Sequence, residues 1–213
     1  MSSYTRHSVK LAMVLAGFAL VGTTLLALTY GATKDNIAAS EKKAKLALIA
    51  QILPPALYDN DIIRDAAELQ AVPELGTAEP ALVYRALKDG QPAALVLEAV
   101  AADGYAGKIK LLVAIKSNGE ISGVRVVAHK ETPGLGDYIE IARSNWIKGF
   151  DGTSLDKYPS KDWKVKKDGG QFDYMTGATI TPRAVVKAVH KALLWYSANR
   201  EKVFSPPAQE QAK

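Results

Sequence analysis

Hydrophobic and polar positions change rhythm several times along the chain. Residues 11–30 (LAMVLAGFALVGTTLLALTY) contain no charge. At about 1.5 Å per residue, twenty helical residues span about 30 Å, the thickness of a bilayer's hydrocarbon core. A cleaved signal peptide has a shorter apolar region of roughly 7–15 residues, so this run reads as a retained anchor. Residues 37–53 carry good helix formers, with apolar Ile37, Ala44, Leu48 and Ile52, and stop at Pro54-Pro55. They either extend the anchor helix or form a separate helix just above the membrane. Residues 59–77 have no clear period.

Two hairpins are then predicted. Residues 82–87 and 93–100 flank Lys88-Asp89-Gly90-Gln91, and residues 109–116 and 121–128 flank Ser117-Asn118-Gly119-Glu120. Asp-Gly and Asn-Gly supply the positive backbone angles of tight hairpin turns. These strands are rich in Val, Leu and Ile, so their sheet is expected to be well covered. Residues 137–150 read as a helix with Ile139, Ala142, Trp146 and Ile147 near one face. Residues 163–165 read as a short strand and 183–199 as a final helix. Central strands between helices predict an α+β fold. The expected divisions are a short cytoplasmic N-terminus (1–10), a transmembrane helix (11–30), a membrane-proximal helix and linker (31–80), a folded domain (81–200) and a disordered tail (201–213).

Composition narrows the chemistry. The chain of 213 residues has a net charge of +5 and no run of five basic residues, which argues against nucleic-acid binding. It has no cysteine, so disulfides, cysteine-ligated clusters and thioether-linked haem are excluded. His7, His129 and His190 have no metal-site spacing, and neither a metal site nor a self-contained catalytic constellation is expected. Redox chemistry here requires an organic cofactor, with flavin first among the candidates. Gly134-Leu135-Gly136 lacks the third glycine and the strand–helix setting of a dinucleotide fingerprint, so nicotinamide binding is not expected.

The candidate chemistry lies in Asp173-Tyr174-Met175-Thr176-Gly177-Ala178-Thr179, followed by Ile180-Thr181-Pro182. Pro182 suits the first position of a helix and Thr181 its N-cap. Thr179 then sits ahead of a helix N-terminus, whose free N–H groups and dipole favour a phosphate. On the residues alone, Thr176, Thr179 and Thr181 fit turn and cap roles as well as a phosphate handle. In Glu131-Thr132-Pro133-Gly134-Leu135-Gly136, Pro133 and Gly134 fit the middle of a type II turn. That loop is either an ordinary connection or a wall that sets N–H groups and Leu135 against a flat ring. His129 and Glu131 are candidates to tune such a ring, although a solvated hairpin end suits His129 equally. Lys166 and Lys167 are either phosphate partners or a solvated charge pair. Tyr105 is either a stacking residue or a turn tyrosine, and His190 reads as structural.

The same residues carry a family resemblance. Asp173-x-x-Thr176-Gly177-Ala178-Thr179 resembles the flavinylation motif in which the last threonine is joined to FMN through the phosphate. Further matching segments are Ala71–Gly76, Asp103-Gly104-Tyr105, His129–Asp137 and Val165–Gly170. The chain, from the anchor to about Ala198, is similar to the RnfG (RsxG) family, the G subunits of Rnf ion-pumping electron-transport complexes. The C subunit of the sodium-pumping NADH:quinone reductase shares the motif and is the nearest alternative; a non-redox anchored binding module is the other. The resemblance implies a periplasmic FMN-binding domain on a single-pass inner-membrane anchor. It also implies electron relay among Rnf-type membrane subunits, coupled to ion translocation. FMN would be attached covalently at Thr179 by a separate flavin transferase that uses FAD and magnesium. Thr176, Gly177, Ala178, Thr181, Asp173, Glu131, Thr132, Pro133, Gly134, Leu135 and Lys166 are the residues expected around it.

Overall fold

The computed structural model describes residues 3–204. The chain divides into two units, one ending at Leu46 and one beginning at Ala47. The expected tail beyond 204 lies outside the described residues. Helix α1 is assigned across Ser3–Ile52, so the predicted anchor and the 37–53 segment belong to one helix. In the first unit its apolar side chains are exposed, Phe18 at 74% and Leu26 at 71%. Among the described residues it is the one helix long and apolar enough to cross a membrane.

The second unit is built on a five-stranded antiparallel meander: β1 (Ala67–Leu69), β2 (Ala81–Lys88), β3 (Gln91–Ala101), β4 (Ile109–Lys116) and β5 (Ile121–Ala128), in that spatial order. The two predicted hairpins are present, β2–β3 and β4–β5, with their turns at Asp89-Gly90 and Asn118-Gly119. The three-residue β1, which pairs Ala67 with Val83, was not anticipated. Alternation along β4 separates Ile109, Leu111, Val113 and Ile115, which join the main core, from Leu112 and Ala114, which are buried on the other face.

Helix α2 (Ile180–Phe204) packs on β3 and β4 across the main core, with Val185, Val189, Ala192, Leu193 and Tyr196 buried. The opposite face is met by the end of α1. There Ile52 lies so close to Gly123 that a Cβ would fall 2.7 Å from its side chain, and the Gln51 side chain accepts a 2.9 Å hydrogen bond from Arg125 Nε. A sheet covered on both faces explains why these strands are apolar nearly throughout.

The segment predicted as a helix over 137–150 is instead two short 3₁₀ turns, Asp137–Ile139 and Trp146–Phe150. Ser144 accounts for the break. Its hydroxyl donates to the Tyr138 carbonyl at 2.7 Å and accepts from Trp146 N–H at 3.0 Å, replacing helical backbone bonds. Residues 163–165 contribute only a single bridge, Val165 to Phe172. The last helix runs to Phe204, past the predicted end at 199.

Candidate functional site

The motif 173–179 forms a tight turn feeding α2. Ala178 N–H donates to the Met175 carbonyl at 3.1 Å, and Gly177 holds φ +89° at the third position, where a left-handed angle is needed. Helix α2 starts at Ile180, and its first intrahelical bond is Arg183 N–H to the Thr179 carbonyl at 3.3 Å. Thr179 is therefore itself the N-cap. The expectation that Thr181 caps and Pro182 opens the helix is corrected: Thr181 is the second helical residue and Pro182 the third. Proline is still tolerated there because its missing N–H belongs to the unpaired first turn. The Thr179 hydroxyl makes no hydrogen bond among the described residues, and the residue as a whole is half-buried.

Two aromatic tips peg the motif from below. Tyr138 Oη accepts from Met175 N–H at 3.3 Å, and Trp146 Nε1 donates to the Asp173 carbonyl at 2.7 Å. The two rings meet edge to face with centroids 5.6 Å apart. Trp146 in turn packs on Phe150, which stacks on Phe172. Burial pushes the Tyr138 phenol up to about 12, partly offset by its bond from Met175.

The 131–136 loop takes the predicted turn. Leu135 N–H reaches the Thr132 carbonyl at 3.1 Å, Gly134 has φ +76°, and Gly134 N–H is held by Asp137 Oδ1 at 2.8 Å. Glu131 does not point outward from this loop. It is 4% exposed, with Oε1 accepting from Ala106 N–H at 3.0 Å and Oε2 accepting from the Thr181 hydroxyl. His129 is also engaged: Nδ1 accepts from Glu131 N–H at 2.9 Å and Nε2 faces Glu140 Oε1 at 2.8 Å. Both side chains are therefore committed to partners within the protein.

The structure thus brings the 131–136 loop against the start of α2, through Glu131 and Thr181. It leaves Thr132, Pro133, Gly134, Leu135, Thr176 and Gly177 exposed. A Cβ at Gly134 or Gly177 would meet nothing within 4 Å. Large apolar side chains are exposed here too: Leu135, Tyr174, Met175 and Ile180.

Lys166 pairs with Asp173 at 2.5 Å. Arg183, one turn into α2, makes a two-pronged contact with Asp168 at 2.6 and 2.5 Å, which lowers the Asp168 pKa and raises that of Arg183. Tyr105 is exposed beside Ala106, and His190 stacks on Trp163 with centroids 5.4 Å apart. Tyr138, Trp146 and Arg183 were missed by sequence reasoning. The first two were assigned to a helix that does not form, and no local pattern marks an aromatic tip that reaches a carbonyl 27 residues away.

These residues suit FMN. A free N-cap hydroxyl and the unpaired N–H groups of Ile180 and Thr181 match a phosphoryl group. The open glycine turns and exposed apolar side chains match a flat ring. A groove of about 450 Å³ lined by Pro92, Ser117, Tyr196, Arg200, Glu201 and Phe204 is elsewhere, roughly 25 Å along α2 from Thr179.

A family model described as an FMN-binding domain matches residues 104–194, and one described as the RnfG N-terminal region matches residues 1–52. The chain is 48% identical over 207 residues to the G subunit of the ion-translocating oxidoreductase complex of Pseudomonas aeruginosa, covering 97% of both chains. It is 48% identical over 198 residues to the corresponding G subunit of Vibrio cholerae, covering 93% of this chain and 94% of the relative. The chain belongs to the RnfG family. The G subunit of Pseudoalteromonas atlantica is 44% identical over 196 residues, covering 92% and 91%. Both ends of the site, the 131–136 loop and the Thr179 N-cap, fall inside the FMN-binding match.

Proposed function

We propose that this chain is the flavin-carrying subunit of an Rnf-type ion-translocating electron-transport complex in the inner membrane. In this reading FMN is held by a phosphoester to Thr179, and the domain lies on the periplasmic side of a single N-terminal anchor. The observation that carries the reading is Thr179 standing as the N-cap of α2, hydroxyl uncommitted, in a turn pegged by Tyr138 and Trp146 within an FMN-binding domain. Bound FMN supplies one- and two-electron redox chemistry that the polypeptide lacks. The nearly full-length similarity to ion-translocating oxidoreductase G subunits supports the Rnf reading over the quinone-reductase C subunit.

Attachment balances with FAD as donor. The Thr179 oxygen attacks the flavin-side phosphorus, one P–O ester bond forms, the pyrophosphate P–O bond breaks and AMP leaves. The hydroxyl proton passes to a base of the flavin transferase, and nothing is oxidised. The resulting singly charged diester sits at the positive end of α2, a placement worth about 0.3–1 kcal/mol when exposed. Thr132, Pro133, Gly134 and Leu135 would present an open turn and an apolar surface to the ring. Thr176, Gly177 and Ala178 would shape the turn at the phosphate, and Asp173 with Lys166 would form its rim.

The test is co-expression of the full chain with a flavin transferase, followed by a denaturing gel under ultraviolet light and intact mass. One fluorescent band, heavier by one FMN less water, is expected. Thr179→Val should lose both signals while the domain remains folded. Covalent flavin retained in that variant would overturn the assignment.

A further inference from the structure

We propose that Glu131 is a positioning residue that sets the two halves of the flavin site in register, and that its carboxylate does so without touching the flavin. The inference rests on the Thr179 reading above. Glu131 ties together three stretches that are distant in sequence. Its own backbone begins the 131–136 loop, Oε1 holds the Ala106 N–H of the turn after β3, and Oε2 holds the hydroxyl of Thr181 at the start of α2. The two side-chain partners lie 25 and 50 residues away.

Two glycines make room for it. A Cβ at Gly136 would fall 2.8 Å from Oε2 and 3.0 Å from the Thr181 hydroxyl. One at Gly104 would fall 3.0 Å from Oε1 and 2.3 Å from the Gly107 carbonyl. His129 Nδ1 fixes the backbone of the same residue through Glu131 N–H. The loop that would face the ring and the helix start that would hold the phosphate are thus fastened to one carboxylate.

The chemistry explains why an acid is used. A carboxylate offers two acceptor oxygens, one for each donor. Thr181 donates its hydroxyl inward to Glu131, which leaves its backbone N–H, together with that of Ile180, at the open end of α2. An error of about 1 Å between phosphate handle and ring surface is enough to slow a positioned reaction by roughly a hundredfold.

The experiment uses full-length protein in detergent with a flavin transferase, FAD and magnesium. Flavinylation rate, the visible circular dichroism of the attached flavin and Tm are measured together. Glu131→Ala is expected to slow attachment by about tenfold or more and to change the flavin dichroism. Glu131→Gln, which can accept from Ala106 and donate to the Thr181 oxygen, should restore most of the rate. Thr181→Val, which removes one donor and little volume, should reproduce much of the Glu131→Ala effect and add little to it in the double variant. If Glu131→Ala fails to fold, Thr181→Val decides. Leu193→Ala supplies a control that lowers Tm from a site remote from the clamp. Wild-type rate and dichroism in Glu131→Ala and Thr181→Val would overturn the proposal, as would losses matched by Leu193→Ala at equal loss of Tm. If Thr179→Val still carries covalent flavin, the underlying reading fails instead, whatever Glu131 does.

Discussion

Thr179 and Thr181 stand two positions apart at the start of α2, and of the two hydroxyls that of Thr181 is committed to Glu131 while that of Thr179 makes no hydrogen bond among the described residues. The sequence marks both as cap candidates, but a cap is defined by where the first intrahelical bond closes, and that bond ends on the Thr179 carbonyl. The motif was legible because Gly177, Ala178 and Pro182 announce a turn entering a helix. The destination of the Thr181 hydroxyl was not, because its acceptor is 50 residues upstream. Tyr138 belongs to the same scale and carries a pH signature. Its phenol titrates near 12 in the folded chain against about 10 unfolded, so between those values the folded state holds more protons than the unfolded state. Stability is then complete below pH 10 and falls as pH rises through 12, by up to about 1.4 kcal/mol per pH unit from this residue. Urea unfolding of the full chain in detergent should show that decline. Tyr138→Phe should flatten it while costing about 0.5–1.5 kcal/mol at neutral pH through the lost bond from Met175. A residual slope is expected from Tyr196, whose phenol burial also raises. An unchanged alkaline slope in Tyr138→Phe would refute the assignment.

Among elements, β2 to β5 were readable because turn chemistry and strand pattern agree locally: Asp89-Gly90 and Asn118-Gly119 each close a hairpin between apolar runs. The stretch 137–150 was misread because apolar spacing of three and four is also produced by irregular chain whose aromatics reach the core. There the Ser144 hydroxyl outcompetes the helical ladder. Three-residue β1 is too short to show a period, and its place follows only from pairing with β2. Helix α2 joins scaffold to candidate site, since Thr179 stands at its N-terminus while Val185, Val189 and Leu193 lock it to the sheet. Leu193 is 1% exposed, and Leu193→Ala should cost about 2–5 kcal/mol through lost transfer energy and the remaining cavity. Calorimetry or urea unfolding measures it. Because the packing lies more than three turns from Thr179, the flavinylation rate at a temperature where the variant is folded should stay near wild type. A loss below about 1 kcal/mol would show that α2 is not held as these contacts imply.

At the scale of the whole molecule, topology sets which side of the membrane carries the flavin domain. Charge does not decide it. Arg6 and Lys10 precede the apolar run and favour a cytoplasmic N-terminus, but Lys34, Lys42, Lys43 and Lys45 follow it. A covalent cofactor link has a physical rationale outside the cytoplasm, where a dissociated flavin is not readily replaced, and this supports the periplasmic reading. The chain's lack of cysteine makes the test clean, because any thiol introduced is the only one present. Lys88, exposed at the β2–β3 turn and remote in the fold from the Glu131 clamp, is a suitable position. Lys88→Cys should react with a membrane-impermeant maleimide in intact spheroplasts as fully as after lysis. A cysteine at Ser8, before the apolar run, should react only after lysis. The reverse pattern would place the flavin domain in the cytoplasm. It would leave the fold and the Thr179 chemistry intact while removing the retention argument for a covalent bond.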